Sequence, residues 1–97
     1  MMMVNAKLTS LSLLVVDDDD DFVDFVAFAL MSNPSKSSFS RVSNGEEALR
    51  YLRNEGEYVD ADVPDIVLLD LNIPRKNGHD VLRDMRGDPD MSAIPVV

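Results

Sequence analysis

Two groups of carboxylates stand where this chain could do metal-dependent chemistry. The first is Asp17 to Asp21, five aspartates in a row, directly after the apolar run Leu11-Ser12-Leu13-Leu14-Val15-Val16. The second is Asp70, which ends Asp65-Ile66-Val67-Leu68-Leu69 and is followed by Leu71-Asn72-Ile73-Pro74-Arg75-Lys76-Asn77-Gly78. Short apolar runs rich in branched residues read as strands buried on both faces. Two such strands in a parallel sheet can deliver their terminal carboxylates side by side at one edge, where open α/β sheets form their sites. The resulting acidic pocket calls for a divalent cation with oxygen ligands.

The elements that position these groups follow from the rest of the chain. Residues 1 to 10 show no periodicity and read as a flexible lead-in, which leaves 11–97 as one small domain. After the first strand, Phe22, Val26, Ala29 and Leu30, with Val23 beside them, recur at helical spacing, and Asn33-Pro34-Ser35 ends that helix. Phe39 to Val42 reads as a second strand that Ser40 and Arg41 interrupt. Ser43-Asn44-Gly45-Glu46-Glu47 offers a capping box, either Ser43 with Glu46 or Asn44 with Glu47, ahead of a helix marked by Ala48, Leu49 and Leu52. An acidic connection from Asn54 to Pro64 leads to the third strand, Ile66 to Leu69. Val81, Leu82 and Met85 mark a third helix that Gly87 and Asp88-Pro89 terminate, and Ile94 to Val97 starts a fourth strand. The order is βαβαβαβ, which predicts a parallel sheet with right-handed crossovers.

Composition excludes several function classes. The chain is 45% apolar and 28% charged, as folded chains are, and its net charge of −9 with a pI near 4.3 repels nucleic-acid phosphate and anionic lipid. There is no cysteine and a single histidine, His79, so thiolate chemistry and a multi-histidine zinc site are out. No apolar stretch approaches the roughly 20 residues that span a bilayer, and the N-terminus lacks the apolar core of a signal peptide. The expectation is a cytoplasmic protein without membrane or nucleic-acid partners.

Three spaced segments carry a family resemblance: Val16-Asp17-Asp18, Asn44-Gly45-Glu46-Glu47-Ala48-Leu49, and Leu68-Leu69-Asp70-Leu71-Asn72-Ile73-Pro74 with Pro64 before it and Gly78 after it. In this order, from about Leu13 to Val97, the chain resembles the receiver domain of bacterial two-component response regulators. It is most similar to small single-domain receivers that partner phytochrome-type kinases, through Gly56-Glu57-Tyr58, the Leu-Asn-Ile-Pro loop and the ending from Asp88-Pro89-Asp90 to Val97. The resemblance implies a flavodoxin-like parallel sheet with helices on both faces. It further implies that a histidine kinase or phosphotransfer protein gives its phosphoryl group to Asp70. Asp17, Asp18, Asp70 and the backbone carbonyl of Asn72 would hold Mg²⁺. Elementary electrostatics agrees, since carboxylates about 4 Å apart repel by a few kcal/mol per pair at an effective dielectric near 20, and a bound cation relieves that repulsion.

The same resemblance places a Thr or Ser at the end of the fourth strand and a Lys at the end of the fifth, and the sequence stops at Val97 before either. The chain therefore reads as a truncated receiver, lacking the last strand and two helices, whose apolar edge invites a homodimer or swapped assembly. Two other functions compete. One is a phosphorylation-silent interaction fragment. The other is an aspartate-nucleophile phosphatase of the haloacid dehalogenase type, which wants a second acid where Asn72 stands and a Thr or Val where Pro74 stands. The remaining features have plainer readings: Asp19 to Asp21 as a solvated helix start, His79 as a surface residue, Arg75 and Lys76 as loop charges, Ser43 as a cap or strand end, and Phe22, Phe25 and Phe28 as core and interface packing.

Overall fold

Four consecutive buried side chains, Leu13 to Val16, make the first strand the centre of the sheet. The computed structural model describes residues 10–32 and 36–97. Its elements are β1 (Ser10–Val16), α1 (Asp20–Met31), β2 (Lys36–Val42), α2 (Gly45–Leu52), β3 (Ile66–Leu69) and α3 (Gly78–Arg86), with a 3-10 turn at Gly56–Tyr58. The strands are parallel in the order β2-β1-β3.

Alternation along the strands divides the core between two faces. Leu14, Val16 and Val67 point to one side, where Ala48, Leu49 and Tyr51 of α2 and Val81 and Met85 of α3 close over them. Leu13 and Val15 point to the other, against Val23 and Val26 of α1. Helices thus cover both faces of a parallel sheet, as expected.

Each helix starts on a side-chain cap that satisfies otherwise orphaned N–H groups. Asp19 accepts from the N–H groups of Asp21 and Phe22 at 3.0 and 3.4 Å, and Asn77 from that of Asp80 at 3.0 Å. Of the two boxes open in the sequence, Asn44 with Glu47 is the one formed. Asn44 Oδ1 accepts from Glu47 N–H at 2.9 Å, while Glu47 Oε1 takes the N–H of Ser43 at 3.1 Å. In the acidic connection, Asn54 adopts a left-handed φ of 56° and its Nδ2 donates to the carbonyls of Tyr58 and Ala61 at 3.1 and 2.7 Å.

Several expectations need correction. β2 begins at Lys36 rather than Phe39, because its polar first half pairs through backbone register with Ser10 to Ser12 and needs no apolar side chains. The expected fourth strand is only a bridge between Val67 and Val96, extended by hydrogen bonds from Val67 N–H to Pro95 O and from Leu69 N–H to Val97 O, both 3.0 Å. α1 buries Val23 and Val26, 8% and 9% exposed, whereas Phe25 and Phe28 are 66% and 69% exposed and Phe22 is also at the surface. The phenylalanines are therefore not core residues. The expected helix stop at Asn33-Pro34-Ser35 and the lead-in up to Thr9 lie outside the described residues, and Ser10 already belongs to β1.

Candidate functional site

Strand register builds the site. Val16 at the end of β1 pairs with Leu69 at the end of β3, so the residues that follow, Asp17 and Asp70, emerge side by side. Asp70 N–H donates to Val16 O at 3.0 Å and Asp17 N–H to Val42 O at 3.1 Å, which carries the ladder one residue beyond the strands. Carboxylate oxygens of Asp17, Asp18 and Asp70 lie within 4.8 Å of one another.

The three acids are held differently. Asp17 is half-buried, and its Oδ1 accepts from Asp19 N–H at 2.9 Å. Burial pushes its carboxyl above the usual carboxylate range, the Asp19 N–H bond opposes that rise, and the negative charge of Asp70 adds to it. Asp18 is exposed. Asp70 Oδ1 accepts from the N–H of Asn72 at 2.9 Å, which fixes the carboxylate against its own loop. That contact uses the amide of Asn72, whose side chain is exposed.

The loop from Leu71 to Asn77 is pinned by close contact. Ile73 is buried in the core beneath it. Gly78 N–H donates to Leu71 O at 3.2 Å, and a Cβ at Gly78 would come within 2.6 Å of both Asp70 O and Leu71 Cα. A Cβ at Gly45 would run into the backbone carbonyl of Lys76. Only glycine lets these backbones approach so closely. Arg75 and Lys76 both take left-handed φ values, 55° and 72°. The turn is held from outside by ion pairs of Lys76 with Asp84 at 2.9 Å and of Arg75 with Glu46 at 3.8 Å. The Lys76 ammonium, hydrogen-bonded to Asp84, holds that carboxyl below its ordinary range.

A cleft of about 260 Å³ opens beside the acids, lined by Asp17, Asp70, Phe22, Leu68, Leu69 and Val97. His79 lies exposed on α3. Arg41 is the site neighbour that sequence reasoning missed. Its Nε donates to the Asp17 carbonyl at 2.9 Å, a contact that carries no periodic signal in the sequence.

Three oxygen-rich side chains around one point suit a hard cation such as Mg²⁺ or Mn²⁺, and the absence of nitrogen or sulfur donors among them disfavours zinc. Among the described residues, no helix is long and apolar enough to cross a membrane.

Comparison with known proteins adds identity. Residues 13–97 match the response regulator receiver domain. Response regulator Rcp1 of Synechocystis is 33% identical over 85 residues, a match that takes in 88% of this chain and 58% of Rcp1. The DNA-binding response regulator MtrA of Mycolicibacterium smegmatis is 34% identical over 85 residues, 88% of this chain and 32% of MtrA. Among solved structures, the phosphorylated cyanobacterial phytochrome response regulator RcpA superimposes with a TM-score of 0.86 at 38% identity, covering 90% of this chain and 62% of RcpA. The Mn²⁺-bound form of Rcp1 gives a TM-score of 0.85 at 31% identity, covering 89% of this chain and 62% of that one. This chain thus spans less than two thirds of the length of each of these relatives. It belongs to the response regulator receiver domain family.

Proposed function

We propose that this chain is a phosphoacceptor module of a two-component phosphorelay, with Asp70 as the acceptor. The observation that carries this reading is the convergence of the Asp17, Asp18 and Asp70 carboxylates from two strand ends, within 4.8 Å. Asp17, Asp18, Asp70 and the carbonyl of Asn72 are the ligands we assign to a divalent cation, Mg²⁺ by preference. When bound, that ion neutralises charge on the carboxylates and on the oxygens of an incoming phosphoryl group.

The protein's own part is positioning. A carboxylate oxygen of Asp70 attacks phosphorus, the P–N bond of a phosphohistidine breaks, and an acyl phosphate forms as the imidazole leaves with the bonding pair and takes up a proton. The Asn72 N–H fixes the Asp70 carboxylate and the Asp19 N–H that of Asp17, so little reorganisation is needed when the phosphoryl group arrives. The donor is a histidine kinase or a phosphotransfer protein, and the likeness to RcpA favours a phytochrome-type kinase. The reading is of a signalling module rather than a turnover enzyme, acting in the cytoplasm through protein contacts and not on DNA. The exposed Phe25, Phe28 and Met31 of α1 support self-association, which sedimentation would read as a dimer.

Incubation with acetyl phosphate and Mg²⁺, followed by intact mass, tests the central step. One phosphoryl adduct is expected, dependent on Mg²⁺ and abolished by Asp70→Asn. No adduct in the unsubstituted chain would favour the phosphorylation-silent interaction fragment. Continued release of phosphate from a phosphomonoester would favour the phosphatase.

A further inference from the structure

Arg41 stands between Phe39 and Val42 of β2 and belongs to none of the motifs above, yet it reaches into the loop between β1 and α1. Its Nε donates to the carbonyl of Asp17 at 2.9 Å, and its Nη2 pairs with Asp20 Oδ1 at 2.8 Å. The Arg41 side chain is only 27% exposed, so the fork is packed in place rather than waving in solvent. The next residue of β2, Val42, accepts the N–H of Asp17 at 3.1 Å. Asp17 is therefore held at its N–H and its carbonyl by consecutive residues of one strand, and at Oδ1 by Asp19 N–H at 2.9 Å. Asp18 lies between the two residues that Arg41 grips, Asp17 and Asp20.

We propose that Arg41 is a positioning residue for the metal site: its two-pronged grip on Asp17 and Asp20 fixes the turn that aims the Asp17 and Asp18 carboxylates toward Asp70, and so sets cation affinity. The inference rests on the site proposed above. Five adjacent aspartates repel one another, and a turn built from them splays unless something ties it. A guanidinium suits the task because its planar fork serves two acceptors at once in a fixed geometry, whereas an ammonium acts as a point charge. Outer contacts that orient ligand residues commonly tune metal affinity 10–100-fold, as an order of magnitude.

Charge and geometry predict opposite signs here. A positive group near a cation site weakens binding by Coulomb repulsion, so deleting it for its charge alone should tighten binding. Deleting a positioning group should loosen it. The test is a Mn²⁺ titration of the full chain followed by electron paramagnetic resonance of the free ion. Arg41→Met and Arg41→Lys are both expected to weaken binding by about tenfold or more. As a metal-free readout, the Asp19 amide should exchange faster in both variants while amides of β3 keep their protection. Should Arg41→Met fail to fold, Asp20→Ala and Asp21→Ala decide the matter, since each removes one acidic charge but only the first removes an Arg41 partner. Asp20→Ala should weaken binding more than Asp21→Ala. Unchanged or tighter Mn²⁺ binding in Arg41→Met, full rescue by Arg41→Lys, or equal weakening by the two alanines would overturn the proposal. Absence of binding in the unsubstituted chain would instead overturn the metal site itself.

Discussion

The two loops that meet at the acidic cluster are built by different physics. The β1–α1 loop is short and charged, and it is held by hydrogen bonds: Asp19 caps α1 while Arg41 ties the Asp17 carbonyl and the Asp20 carboxylate. The β3–α3 loop is longer and is held by shape. Ile73 is sunk in the core, glycines stand at both points of closest approach, and two residues are forced into left-handed backbone. Hydrogen bonds and an ion pair set the first loop, whereas steric exclusion between backbones sets the second. The wedged loop carries Asp70, proposed to react, and the hydrogen-bonded one carries Asp17 and Asp18, proposed to share the ion with it.

This contrast orders the expected mutational effects. The largest should come from the wedged loop. Gly78→Ala puts a methyl 2.6 Å from Asp70 O and Leu71 Cα, backbone atoms that cannot swing aside. The cost should be about 1–3 kcal/mol, the usual penalty of overpacking, read as a lower midpoint in thermal or urea unfolding. Gly45→Ala, which collides with the Lys76 carbonyl, should cost at least as much. A neutral outcome for both would mean that the loop is not wedged. Next comes the charged loop's cap. Asp19→Ala removes the acceptor for the N–H groups of Asp21 and Phe22 and should cost about 1 kcal/mol.

The smallest effect has the opposite sign. Burial lifts the Asp17 carboxyl above its unfolded value, so without metal its ionised form opposes folding. That penalty is fully present above the raised folded pKa and disappears as pH falls below the unfolded one. Asp17→Asn should therefore stabilise the metal-free protein at neutral pH and flatten its stability across the acidic range. A variant less stable than the parent at neutral pH would show that the Asp17 charge supports the loop instead.

Much of this arrangement is legible in the sequence because it rests on patterns that chains cannot hide. The apolar run ending at Val16 and the one ending at Leu69 mark the strands, and the level register of their ends brings Asp17 and Asp70 together. A capping box ahead of α2 is legible too, though the sequence leaves Ser43 with Glu46 and Asn44 with Glu47 both open and the structure decides for the second. The illegible parts depend on partners remote in sequence. The repeat Phe22, Phe25, Phe28 competes with Val23, Val26, Leu30 for the buried face of α1, and the sheet beneath decides for the valines. β2 extends back to Lys36 because β1 offers a paired backbone there. Arg75 and Lys76 turn left-handed without the glycine that usually announces it, in a loop bounded by the close approaches at Gly45 and Gly78. Arg41 gives no signal because its acceptors are a carbonyl and an exposed acid.

The most direct test of the account is thermal unfolding with and without Mg²⁺, run on the parent chain and on Asp17→Asn, Asp18→Asn and Asp70→Asn. An ion at about 100 times its dissociation constant adds about 2.7 kcal/mol to the folded state. The parent is expected to show a stabilisation of that order, and each substitution should sharply reduce it. A parent whose unfolding ignores Mg²⁺, or variants that respond as the parent does, would contradict the convergence of these carboxylates on one ion.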